Sequence, residues 1–207
     1  MAIYEVFAIT EGSIKRIIDG VGKEYTGSKI FKEDENRFKS CIVKIAFEPY
    51  MIDFEFPFET QNQEVNNFKM YSTFLNGDDV RINITRTKKQ GTLCNNKPAK
   101  YKIKEASANE KYNTQIEFCF DNEDGKNFTD KSEYVFVILG YSFDNNNEIK
   151  HLDFMIPSSK MDNTIDKFNA LNEYNKFKNG FEEDEYIEEK IVELIEEFDK
   201  TYKMNEL

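Results

Sequence analysis

The sequence predicts an α+β fold: a mainly antiparallel β-sheet or sandwich of about eight to ten strands, followed by two C-terminal α-helices. Three observations predict it. Apolar and polar residues alternate with period two through the first three quarters of the 207-residue chain, an unbroken apolar run marks one central strand, and helical periodicity emerges only after Pro157. Helices gathered behind the strands argue against alternating β-α units. The expected organisation is a β-rich domain over 1–157 with a helical pair over 158–207 packed on it as one unit.

Taken in order, Met1–Phe7 lacks a basic leader region and carries an acid at Glu5, so it reads as a first strand and not as a signal peptide. Ile52-Asp53-Phe54-Glu55-Phe56-Pro57-Phe58-Glu59 places apolar residues at alternate positions, as a strand with one buried face does, and Pro57 sets its end at an edge or bulge. Cys41–Phe47 is its expected antiparallel neighbour, turning near Glu48-Pro49-Tyr50. Val80, Ile82 and Ile84 alternate with Arg81, Asn83 and Thr85, and Ile116, Phe118 and Phe120 with Glu117, Cys119 and Asp121.

Tyr134–Leu139 is apolar without a break, the pattern of a strand covered on both faces. Asp144-Asn145-Asn146-Asn147 is turn chemistry, and a return strand over 148–156 stops at Pro157, so the pair reads as a long hairpin. Ser158 or Ser159 then caps a helix carrying Met161, Ile165, Phe168 and Leu171 on one stripe and ending at Asn179-Gly180. A second helix from about Asp184 shows Ile187, Ile191, Leu194, Ile195, Phe198 and Tyr202 at helical spacing. Thr87–Lys100, with Gly91, Asn95-Asn96 and Pro98, reads as a long exposed basic loop.

Composition narrows the class. Aromatics at 14% supply a core without any Trp, and charged residues reach 32%. No stretch approaches the roughly 18 apolar residues of a spanning helix. Cys41, Cys94 and Cys119 are odd in number and widely spaced, which fits free thiols in a reducing cytoplasm.

Charge is the most uneven property. Residues 181–199 hold ten carboxylates against Lys190 alone, whereas 80–104 hold eight bases and no acid, within a formal net charge of −11. Two fields of opposite sign bear on partners.

Gly22-Lys23-Glu24-Tyr25-Thr26-Gly27-Ser28-Lys29 has the glycine spacing of a phosphate-binding loop, but Ser precedes Lys where the loop needs the reverse, so it reads as a plain loop. One histidine and three scattered cysteines cannot form a standard zinc ligand set, so neither metal nor cofactor is expected. His151, the sole histidine, reads as structural.

One enzymatic route is Asp53 with Glu148 and Lys150. Glu148-Ile149-Lys150 is an acid-x-Lys triplet, and with Tyr134–Leu139 and the strand ending at Pro157 it loosely resembles the late strands of PD-(D/E)xK nucleases. That resemblance implies two carboxylates on a divalent metal and a lysine activating water. Asp53 and Glu148 lie about 95 positions apart, far beyond the usual gap of that superfamily, and the triplet falls late in the hairpin.

The favoured expectation is a non-enzymatic, cytoplasmic interaction protein. The final helix repeats Glu185, Glu189 and Glu193 at i+4, so same-helix neighbours repel where surface helices normally mix signs. Such a surface suits a basic partner, such as the groove of a nucleic-acid-handling protein, which it would block or regulate. Small acidic inhibitors encoded by phages or mobile elements, including those directed at restriction or CRISPR machinery, act by this general route; the likeness is of charge and size. The expected contact residues are Glu182, Glu185, Glu189, Glu193 and Glu196, with Arg86, Lys88, Lys89, Lys97 and Lys100 as a second contact that can also touch nucleic acid through 80–104. A structural or assembly protein is the third class.

Overall fold

A computed structural model of the chain describes residues 2–21, 28–52, 55–65, 70–93, 97–112, 134–180 and 185–204. In chain order the elements are α1 (Ile3–Val21), α2 (Lys29–Ala46), β1 (Glu59–Glu64), β2 (Tyr71–Asn76), β3 (Val80–Arg86), α3 (Lys100–Ala106) running into a short 3-10 turn (Ser107–Asn109), β4 (Val135–Phe143), β5 (Ile149–Pro157), β6 (Thr164–Asn169), α4 (Leu171–Gly180) and α5 (Glu185–Met204). The fold is α+β, with a mostly antiparallel six-stranded sheet followed by two C-terminal helices. Two compact units interleave along the sequence. One comprises Met1–Asn62, Phe143–Lys150 and Leu171–Leu207, the other Gln63–Ser142 and His151–Ala170.

The first unit is helical. Val6, Phe7, Thr10, Ser13 and Ile14 give α1 a buried stripe, and the two hydroxyls on it are satisfied by the helix itself: Thr10 Oγ1 donates to Val6 O at 2.6 Å and Ser13 Oγ to Ile9 O at 2.8 Å. Helix α2 begins at an N-cap, where the Phe31 amide donates to Ser28 Oγ at 3.1 Å. Helix α5 turns Ile187, Ile191, Leu194 and Phe198 inward against α1 and α2. Burying each such side chain stabilises by about 1.5–3 kcal/mol. Phe38 and Phe198 meet edge to face at 5.2 Å, as do Phe7 and Phe47 at 5.7 Å. Gly12 admits this approach, because a Cβ there would run into the Ile191 side chain.

The second unit holds most of the sheet, whose strand order is β1-β2-β3-β4-β5-β6. Strands β2 and β3 pair antiparallel, Thr73 opposite Ile84, and β5 and β6 likewise, Phe154 opposite Phe168. Strands β3 and β4 run parallel, Ile82 opposite Val137, so the chain between them is a crossover, and α3 lies in it. Strand β4 is buried from Phe136 to Ser142, as its unbroken apolar run requires. Phe74, Ala106, Phe136, Ile138, Met155 and Met161 form one core cluster. Asn109 fastens the 3-10 turn to two strands: its amide donates to Phe136 O and Pro157 O, and its carbonyl accepts from Phe136 N, all at 2.8 Å.

Several expected elements differ from this. Residues 3–21 are helix and not a first strand, and Cys41–Phe47 belongs to α2 and its C-cap instead of a strand. The described residues between Ile52 and Phe58 form turns, with strand structure starting at Glu59. Six strands are found among the described residues where eight to ten were expected. The helix expected from Ser158 is a turn followed by edge strand β6. Ser158 Oγ takes the amides of Asp162 and Asn163 at 3.2 and 3.4 Å, and Met161 sits at φ 57°, which no continuing helix allows. The Tyr134–Pro157 hairpin and the final helix are as expected. The strand expected at Ile116–Phe120 and the glycine-spaced Gly22–Gly27 lie outside the described residues, and Ser28 caps α2.

Candidate interaction surfaces

With its apolar stripe turned inward, α5 exposes Glu188, Glu189, Val192, Glu193 and Glu196, which line a shallow open depression. Some of these acids are partly neutralised within their own unit. Arg16 pairs with Glu188, Lys190 with Glu193 at 2.8 Å, and Lys200 with Glu197 at 3.6 Å. Glu189 and Glu196 make no ion pair among the described residues. Beside this face Tyr50, 57% exposed, donates to Glu197 Oε1 at 3.3 Å. Partial burial and the nearby Glu197 and Glu48 push its hydroxyl up to about 12. Glu185 opens the helix, and Glu182 lies outside the described residues.

The structure sorts the eight bases of 80–104. Arg81 is used internally. Its guanidinium lies 4.4 Å over the Phe74 ring and donates to Asn76 Oδ1 and Gln63 Oε1 at 3.1 and 3.0 Å. Its Nε is 3.1 Å from Glu105 Oε2, off the line that a hydrogen bond needs. Tyr134 donates to the same carboxylate at 2.9 Å, and burial followed by Glu105 raises its hydroxyl above the usual range. Lys102 is buried and donates to Thr85 Oγ1 at 2.6 Å. Arg86, Lys88, Lys89, Lys97, Lys100 and Lys104 are exposed.

The loop expected at Thr87–Lys100 is held at several points over its described part 87–93. Thr87 N donates to Tyr141 O at 2.9 Å, Gly91 N to Asp153 Oδ2 at 2.9 Å, and Leu93 packs on the core cluster. Gly91 takes φ 59°, the left-handed region that favours glycine. Thr87 Oγ1 lies 2.6 Å from Nε2 of His151, and Ser142 Oγ 2.9 Å from its Nδ1. An imidazole that donates through one nitrogen and accepts through the other satisfies both hydroxyls, so His151, 2% exposed, is a core residue.

Of the nuclease-like set, Asp53 lies outside the described residues. Lys150 is exposed on β5. Glu148 ends the turn before β5, with its carboxylate 2.9 Å from Lys15 Nζ and 3.7 Å from Lys178 Nζ. The Lys15 hydrogen bond, then the charges of Lys15 and Lys178, hold it below the usual carboxylate range. Among the described residues no three His, Cys, Asp or Glu side chains converge as metal ligands would.

The sequence reading missed a buried carboxylate. Glu11, 3% exposed, accepts from Tyr174 OH at 3.1 Å, Ile149 N at 3.0 Å and Lys15 at 3.2 Å, and from Lys178. One side chain of α1 thereby fastens α4 and the start of β5. The available signal was an acid on the buried stripe of a helix, legible only once 3–21 is read as helical.

Among the described residues no helix is long and apolar enough to cross a membrane. No protein-family model, no curated protein and no solved structure matches the chain.

Proposed function

We propose that the protein is a non-enzymatic acidic interaction protein whose α5 face docks on a cationic surface of a nucleic-acid-handling protein and blocks or regulates it. The supporting observation is the division of α5: Ile187, Ile191, Leu194 and Phe198 are buried against α1 and α2, while Glu189 and Glu196 stand exposed, without ion pairs among the described residues, beside Glu188, Glu193 and Val192. Four carboxylates around one half-exposed apolar side chain present a charged rim with a contact point inside it. Charge of one sign on such a face speeds encounter with an opposite surface and rejects like-charged ones. In size and charge this is the strategy of small phage-borne inhibitors of nucleic-acid-cutting defence systems.

The test uses immobilised protein and its variant Glu189→Gln/Glu193→Gln/Glu196→Gln on a host extract. The expected result is a basic nucleic-acid-binding protein retained by the native chain, released by salt or by added duplex, and not retained by the variant. Equal retention by the variant would remove α5 from the account. Mg²⁺- or Mn²⁺-dependent cleavage of plasmid or RNA that Glu148→Ala abolishes would overturn the non-enzymatic reading.

A further inference from the structure

Two basic segments of 80–104 are brought to the same end of β3. Lys102 Nζ on Thr85 Oγ1 brings α3 against the last residues of β3, one position before Arg86. Tyr101 holds the same helix to the sheet, its hydroxyl 3.1 Å from Ser72 Oγ and its ring 6.3 Å from Phe74. The segment 86–89, leaving β3, and the start of α3, from Lys100 to Lys102, therefore share one end of the strand. Lys100 and Lys104 stand one turn apart on α3, both exposed.

Lys88 and Lys89 project from a segment fixed by Thr87 before them and by Gly91 and Leu93 after them. Lys88, Lys89, Lys97, Lys100 and Lys104 make no ion pair among the described residues. Arg81 and Lys102 are turned inward, whereas Lys88, Lys89, Lys97, Lys100 and Lys104 are exposed.

The chemistry of this surface selects its ligand. It offers several ammonium groups, no carboxylate on the same stretch, and Ile103 as its exposed apolar side chain. Tyr101 is half-buried and committed to Phe74 and Ser72, so it supplies no platform on which unpaired bases could stack. Point charges without stacking groups read phosphates and not bases.

We propose that the surface carrying Lys88, Lys89, Lys100 and Lys104 binds a nucleic-acid duplex through its phosphates, without sequence preference. This does not depend on the docking of α5. The net charge of −11 opposes binding only where it is felt, and at physiological salt the Debye length is about 8 Å, so the local cluster governs the encounter.

The experiment titrates the full chain into a labelled DNA duplex of arbitrary sequence and reads fluorescence anisotropy. If about four phosphates are neutralised, raising salt from about 50 to about 200 mM weakens binding about 100-fold. Lys88→Glu/Lys89→Glu and Lys100→Glu/Lys104→Glu are each expected to weaken binding at the lower salt by about tenfold or more, with circular dichroism showing the fold retained. Glu189→Gln/Glu193→Gln/Glu196→Gln is expected to leave it in place, which separates this surface from the α5 reading. Three results would overturn the proposal: no duplex binding at the lower salt, binding indifferent to both charge reversals, or preference for a single strand over the duplex.

Discussion

Tyr174 donates its hydroxyl proton to Glu11 across 3.1 Å, in a place where Tyr174 is 1% and Glu11 3% exposed. A carboxylate this deep is tolerable only because every direction is answered: a phenol, a backbone amide and two lysines. Removing the centre strands the phenol and the backbone amide and leaves Lys15 and Lys178 with Glu148 alone. Glu11→Ala is expected to cost about 3–5 kcal/mol in urea unfolding followed by circular dichroism. Tyr174→Phe removes one donor and should cost about 1 kcal/mol. In a double-mutant cycle the pair should couple, and additive costs would show that the hydrogen bond contributes nothing.

The same network sets the pH profile. Burial first, then Glu11, pushes the Tyr174 hydroxyl far above its usual range. Above about pH 10 the unfolded chain ionises this tyrosine and the folded chain does not, so stability falls as pH rises, by up to about 1.4 kcal/mol per pH unit for this group. Tyr50 and Lys15 act in the same direction. Lys15 is lowered by burial, but its bonds to Glu148 and Glu11 outweigh this and raise it. Glu148 works at the acid end. Its depressed value contributes stability that is present above the ordinary carboxylate range and lost as pH falls through the folded value. The contribution is small, since its side chain is about half exposed. Tyrosine absorbance should rise together with unfolding on the alkaline side, and Glu148→Gln should flatten the acid limb slightly. A native-state tyrosine titration complete near pH 10 would contradict the buried phenol.

Asn109 is fully buried and closes three bonds with backbone atoms of β4 and β5. Asn109→Leu strands two carbonyls and one amide, at about 1–3 kcal/mol for each group left unpaired. Asn109→Asp should be no better, because a carboxylate cannot donate to Phe136 O or Pro157 O. An Asp variant as stable as the native chain would show that these bonds are dispensable.

What the sequence disclosed depended on the length of the pattern. The Tyr134–Leu139 run, the Asn-rich turn and the final helix were legible, because each signal spans its whole element. Helix α1 was not, because seven residues of Met1–Phe7 cannot separate period two from period 3.6. Val6, Thr10, Ser13 and Ile14 reveal the stripe only over three turns. Met161, Ile165, Phe168 and Leu171 mimic a helical stripe, yet the backbone turns at Met161 and pairs β6 with β5. There tertiary pairing overrode local periodicity. Of the candidate surfaces, the charges were visible in sequence, but which bases turn inward was not. Arg81 and Lys102 look like their neighbours until Phe74, Glu105 and Thr85 are placed beside them.

The glutamates of α5 separate folding from function. Glu189 and Glu193 lie four residues apart, as do Glu193 and Glu197, so each pair repels by a few tenths of a kcal/mol along the helix. Against this stands the exposed Lys190–Glu193 pair, worth a similar amount with the opposite sign. The helix is held by Ile187, Ile191, Leu194 and Phe198, none of which the substitutions touch. Glu189→Gln/Glu193→Gln/Glu196→Gln is therefore expected to leave the unfolding free energy from urea titration within about 0.5 kcal/mol of the native value, or to raise it. Binding to the cationic partner should fall at the same time, mostly through slower association at low salt. A loss of stability of about 2 kcal/mol would instead mean that these carboxylates serve the fold, and the case for an outward-directed acidic face would fail with it.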